Sequence, residues 1–146
     1  VRYLFLSHLS NYNTRMSVQI IEGTGEVRVL SRPEGKDPVN RVSSFADGRQ
    51  LALSGDAWHR LMVSVDLRKK EARIFMDGKV VVQALAPTTK ETFENVPSPI
   101  TGIGSTTLGD WLTCQIAELI CYQKALSREE VEALDNYLCA KYRLPR

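Results

Sequence analysis

From Val1 to about Tyr122 the chain is built of short segments in which apolar and polar residues alternate with a period of two, punctuated by Gly, Pro, Asp and Asn. From Ser127 onward the period becomes helical. A chain patterned this way is restricted to layered β-structure closed by one helix, because strands that alternate must bury one face against a second layer. Strands are expected at Tyr3 to Leu6, Met16 to Ile21, Glu26 to Leu30 and Val39 to Phe45, with turns at Glu22-Gly23-Thr24-Gly25 and Ala46-Asp47-Gly48. Leu61, Val63 and Val65 alternate with Met62, Ser64 and Asp66, and Ala72, Ile74 and Met76 alternate with Arg73, Phe75 and Asp77. Asp77-Gly78 is a tight-turn dipeptide leading into Val80-Val81-Val82, so three antiparallel strands meander here. Arg68-Lys69-Lys70 lies between two of them beside Asp66 and Glu71 and reads as a solvated hairpin turn. Pro87 to Pro99 and Ser105 to Trp111 read as loops flanking a short strand at Ile100 to Gly104, and Gln115 to Tyr122 as a last strand.

The final segment opens with Ser127-Arg128-Glu129-Glu130, a capping box with both acids in the first turn. Val131, Leu134, Leu138 and Tyr142 then recur at helical spacing, and Pro145 follows. The apolar stripe of this helix is expected to lie against the stacked strands. With 146 residues, 43% of them hydrophobic and a formal charge of +2, the chain is long enough for one core and too short for two. Residues 1–146 therefore read as a single domain. It opens on Val1 within an alternating stretch, so it is expected to be a module excised from a larger protein. No stretch reaches the roughly 18 apolar residues of a membrane span, and any export signal would lie upstream. The charge balance offers neither a basic stripe nor interleaved aromatics, so nucleic acid is not an expected partner. Cys114, Cys121 and Cys139 are an odd number without zinc-like spacing. Cys114 and Cys121 on one strand would stand about 20 Å apart, too far to bridge. Buried free thiols are expected, and a Cys139 bridge to either of the others stays open.

Two motifs carry a resemblance. Trp58-His59-Arg60-Leu61-Met62-Val63-Ser64-Val65-Asp66, followed by Ala72-Arg73-Ile74-Phe75-Met76-Asp77-Gly78-Lys79-Val80-Val81, resembles a signature of laminin-G-like and pentraxin-like jelly rolls in the concanavalin A-like lectin/glucanase superfamily. Arg60 is followed at once by Leu61, and Asp66 falls one place early in that pattern. Gln115-Ile116-Ala117-Glu118-Leu119-Ile120-Cys121-Tyr122 through Tyr142 is similar to the closing strand and C-terminal helix of bacterial laminin-G-like modules. The motifs cover about half the chain, and the N-terminal third fits only generally. The resemblance implies an all-β fold, a two-sheet antiparallel jelly-roll sandwich with one C-terminal α-helix, in an extracellular or periplasmic protein. It assigns the motif residues structural work: Trp58 opens a core strand, Asp77-Gly78 makes a hairpin, and His59 is a hydrogen-bonded strand-end residue.

Chemistry is read separately, since one sandwich hosts many activities. A glycoside hydrolase needs two carboxylates on one face about 5 Å apart. Glu118 instead has Ile116 and Ile120 as same-face neighbours, Glu22 and Glu26 straddle a glycine turn, and Glu91 and Glu94 sit in a Pro-bounded loop. A serine hydrolase lacks the G-x-S-x-G elbow at Gly102-Ile103-Gly104-Ser105, and its base would have to come from His59 or His8. The chain is thus expected to be noncatalytic, a recognition module. Carbohydrate is the first expected ligand, another protein the second, and a glycosidase of the same fold the third reading. Sugar sites use an exposed aromatic ring and polar groups for the hydroxyls. Trp111 beside Asp110 is the aromatic candidate, with Arg73, Glu118 and Tyr122 presenting polar groups on a sheet face. Trp111 sealing the sandwich, and Arg73 with Glu118 as a cross-strand ion pair, are the structural alternatives. No cofactor is expected; if calcium binds, the loop acids Asp47, Asp56 and Asp110 are its candidate ligands.

Overall fold

The structure is a computed structural model that describes residues 2–8, 14–31, 40–48, 50–85, 100–103 and 114–145. Among these residues eight strands follow in order: β1 (Arg2–His8), β2 (Thr14–Ile20), β3 (Val27–Ser31), β4 (Asn40–Ser43), β5 (Leu61–Asp66), β6 (Glu71–Met76), β7 (Lys79–Ala84) and β8 (Ile100–Ile103). A single turn of 3-10 helix, Ala46–Gly48, follows β4, and the helix α1 spans Arg128–Tyr142. The strands form two antiparallel sheets, one ordered β4-β3-β2-β1-β8 and the other β5-β6-β7.

The alternating residues explain the layering. Ala72, Ile74 and Met76 on β6 are buried, while Glu71, Arg73 and Phe75 between them are half-exposed. Val18 on β2, Val27 and Val29 on β3 and Val42 on β4 are buried in the same cluster as the β6 residues, closed by Leu67 and Leu85. The two sheets therefore share one core. Full burial of a residue such as Ile74 contributes about 1.5–3 kcal/mol relative to leaving it in water.

Tight turns set the register. Asp77 and Gly78 both take positive φ, 49° and 77°, the backbone of a two-residue hairpin whose twist matches its strands. Gly25, at φ 68°, ends the β2–β3 turn where a Cβ would collide with the Leu53 backbone, and its carbonyl accepts the Leu53 amide at 2.9 Å. Polar groups then tie the edges together. Ser44 Oγ accepts from the Val27 amide at 2.9 Å and donates to the Leu51 carbonyl. The Ser43 amide on β4 donates to Gln83 Oε1 on β7 at 2.7 Å, a hydrogen bond from one sheet to the other. Arg68, Lys69 and Lys70 are exposed in the β5–β6 turn, as expected of a solvated hairpin.

The helix forms where the capping box places it. Ser127 is the N-cap, its Oγ accepting from the Glu130 amide, and Glu130 Oε2 accepts the Ser127 amide in return at 2.8 Å. Arg143 at the C-cap adopts the left-handed conformation that ends the helix. Its apolar stripe is only partly covered: Val131 is buried, whereas Leu134, Leu138 and Tyr142 are half-buried. Arg60, immediately before β5 and buried, holds the helix to the sheet. Its Nε donates to Asp135 Oδ1 at 2.7 Å and its Nη1 to the Pro145 carbonyl at 2.8 Å.

Two expectations are corrected. Gln115 to Tyr122 does not form a strand. Alternation supplies a strand's side chains but not its neighbour, and the backbone of 114–126 enters no backbone ladder among the described residues. Ile116, Leu119 and Ile120 stay exposed as a result. The thiols are also not uniformly buried: all three cysteines are free, Cys139 buried on the helix and Cys114 and Cys121 exposed, because the segment carrying the latter two lies outside both sheets.

Candidate functional site

The segment that leaves the sheets lies along α1 instead, and the two enclose an open groove of about 600 Å³. Glu118, Ile120, Tyr122 and Lys124 line it from the segment, with Glu130 and Tyr137 from the helix. The period-two spacing of Glu118, Ile120, Tyr122 and Lys124 puts them on one side of an extended chain, so the alternation that suggested a strand here serves a groove wall. Tyr122 and Tyr137 remain 52% and 45% exposed, leaving aromatic surface open to a ligand.

Charge in the groove is held by pairing. Lys124 Nζ donates to Glu130 Oε1 at 2.6 Å. Glu118 Oε1 accepts from Lys141 Nζ at 3.1 Å and from Tyr137 OH at 3.3 Å, and its Oε2 accepts from Tyr142 OH at 3.2 Å. Lys141 also donates to Tyr137 OH at 2.7 Å and lies 5.2 Å and 5.4 Å from the ring centres of Tyr137 and Tyr142. The hydrogen bond from Lys141, with those of Tyr142 and Tyr137, holds the Glu118 carboxyl below its ordinary value against the effect of desolvation. Tyr137 and Glu118 together raise Lys141 above the usual lysine range. Both groups are charged near neutral pH. The site thus offers carboxylate acceptors and ammonium and phenol donors beside two open rings.

Of the residues expected to bind ligand, Glu118 and Tyr122 come together in this groove. Arg73 does not join them: it is half-buried on β6 and its Nε pairs with Glu71 of the same strand. Arg73 and Glu118 do not form the cross-strand pair offered as their structural alternative, because Glu118 is bound by Lys141 and its segment is not a strand. Asp110 and Trp111 lie outside the described residues. Of the calcium candidates, Asp56 is exposed in the loop before β5, and Asp110 and the side chain of Asp47 lie outside the described residues. Among the described residues no three His, Cys, Asp or Glu side chains converge as metal ligands would.

Sequence reading missed Tyr137, Lys141 and the Lys124–Glu130 pair. Tyr137 lies off the apolar stripe, and its signal was the i, i+4 spacing of Tyr137 with Lys141, which puts ring and ammonium on one helix face. Neither family models, curated proteins nor solved structures gave a match to this chain.

Proposed function

We propose that the chain is a recognition module that binds carbohydrate in the groove between residues 118–126 and α1, without cleaving it. The observation that carries this reading is the joint presence of two half-exposed tyrosine rings and the Glu118 carboxylate in one open groove. A pyranose ring stacks its C–H face on an aromatic ring, and its hydroxyls need acceptors and donors at the rim. Glu118, Lys124 and Glu130 supply both. We further propose that the two sheets are the layers of a laminin-G-like jelly roll, a reading supported by their common core and by β8 returning beside β1. Placement of the parent protein in the periplasm or outside the cell rests on the resemblance of the two motifs alone. Trp111 and Asp110 belong to the same proposal as further ligand contacts, and calcium as an optional one.

A glycan array run with and without calcium tests the reading. Binding to at least one glycan is expected, with Tyr122→Ala and Tyr137→Ala each weakening it about twofold to tenfold, the worth of one aromatic contact. Trp111→Ala reports whether that residue shares the site. Silence on the array in both conditions overturns the carbohydrate reading and favours the second one, protein contact, for which the exposed Ile116, Leu119 and Ile120 speak.

A further inference from the structure

His59 was read as a strand-end residue, and the structure gives it partners on both ring nitrogens. Its Nδ1 lies 2.7 Å from Asp77 Oδ2, and its Nε2 lies 2.9 Å from Ser54 Oγ. Asp77 is itself held: its Oδ1 accepts the Arg60 amide at 2.9 Å, and its own amide donates to the Arg60 carbonyl at 3.1 Å. The Ser54 amide also donates to His59 Nε2 at 2.9 Å. A backbone N–H can only donate, so Nε2 carries a lone pair and the ring proton resides on Nδ1, facing Asp77. This is the tautomer in which imidazole accepts a proton from a serine. His59 is the most buried of the three, its side chain 18% exposed against 36% for Asp77, while Ser54 is open to solvent.

The surroundings suit an incoming carbonyl. A Cβ added at Gly55 would meet no atom within 4 Å, so space is open beside Ser54. The Gly55 amide makes no backbone hydrogen bond among the described residues. It directly follows the serine, the position from which a backbone N–H stabilises a developing oxyanion. Trp58, 54% exposed, offers apolar surface in the same loop.

We propose that Ser54, His59 and Asp77 form an acyl-accepting site for small carboxylic esters, an activity beyond the recognition reading and independent of the groove. Ser54 Oγ attacks the ester carbonyl carbon while its proton passes to His59 Nε2. The C–O bond to the leaving group breaks as that oxygen takes the proton, and an alcohol departs. Water then attacks the acyl-serine by the same route, releasing the carboxylic acid and restoring Ser54. Asp77 orients the imidazole and stabilises its charged form. A proton arriving on Nε2 ends the hydrogen bond from the Ser54 amide, and the loop is open to water, so turnover is slow.

The test uses the full chain and a fluorophosphonate probe, read by intact mass and peptide mapping. One adduct is expected, on Ser54, absent in Ser54→Ala. His59→Gln is expected to slow labelling about a hundredfold or more, the range of general-base catalysis. Because that change can loosen the hairpin, Ser54→Ala, at an exposed position, is paired with it and with circular dichroism, and a one-equivalent burst with p-nitrophenyl acetate is the second readout. Absence of a Ser54 adduct on the folded wild-type chain overturns the proposal. So does labelling of a folded His59→Gln chain at the wild-type rate, which would leave the three residues as a latch between β5 and the hairpin.

Discussion

The hydroxyl of Ser44 takes the Val27 amide proton and gives its own to the Leu51 carbonyl, whereas that of Ser17, equally buried, meets no partner among the described residues. The two serines should answer the same substitution with opposite signs. Ser44→Ala strands a buried amide and a partly buried carbonyl and is expected to cost about 1–3 kcal/mol. Ser17→Ala removes a desolvated hydroxyl and is expected to raise stability by up to about 1 kcal/mol. Urea denaturation of both variants decides the point, and equal losses would show that Ser17 is satisfied. Neither role was legible beforehand, because a serine inside an alternating segment carries no mark of its partner. Glu118 and Tyr122 were legible as a pair through their shared parity, though on the assumption of a sheet face. Trp58 was read as opening a core strand, and it stands exposed on the loop instead.

Elements were most legible where their signal was local. The capping box, the Asp77-Gly78 turn and the β5-β6-β7 meander each depend on residues within a few positions, and all form as read. The segment 115–122 failed because a strand is defined by a distant partner, and period two describes a groove wall equally well. Local signals also give local predictions. Ser127→Ala removes one half of the reciprocal cap and is expected to cost about 0.5–2 kcal/mol. Because Lys124 and Glu118 tie the segment to the helix, the same change should raise amide hydrogen exchange across Arg128 to Glu132 before it affects β6. Simultaneous loss of protection in β6 would mean that helix and sheets unfold as one unit.

For the molecule as a whole, the pairing of ionisable groups sets a stability plateau. Hydrogen bonds from Arg28 and Ser43 hold the Glu26 carboxyl below its ordinary 4.5 despite its burial, and Lys141 does the same for Glu118. A carboxylate whose folded value is depressed contributes stability above its unfolded value and loses it as pH falls through the folded one. The raised Lys141 contributes below its ordinary 10.5 and loses its contribution as pH rises through its higher folded value. Stability is therefore expected to be flat between about 4.5 and 10.5 with respect to these groups and to fall on the acid side first. Thermal melts of the wild type and Glu26→Gln check this: the acid limb should be shallower in the variant.

The clasp between Arg60 and the Pro145 carbonyl has a mechanical meaning. A load applied to the chain beyond Pro145 reaches Arg60, the residue just before β5, before it reaches the helix backbone, so tension is borne by a buried guanidinium rather than by peeling helical turns one at a time. In an optical trap, Arg60→Met should convert a single abrupt rupture into gradual extension at lower force; an unchanged rupture force would show that the load takes another path.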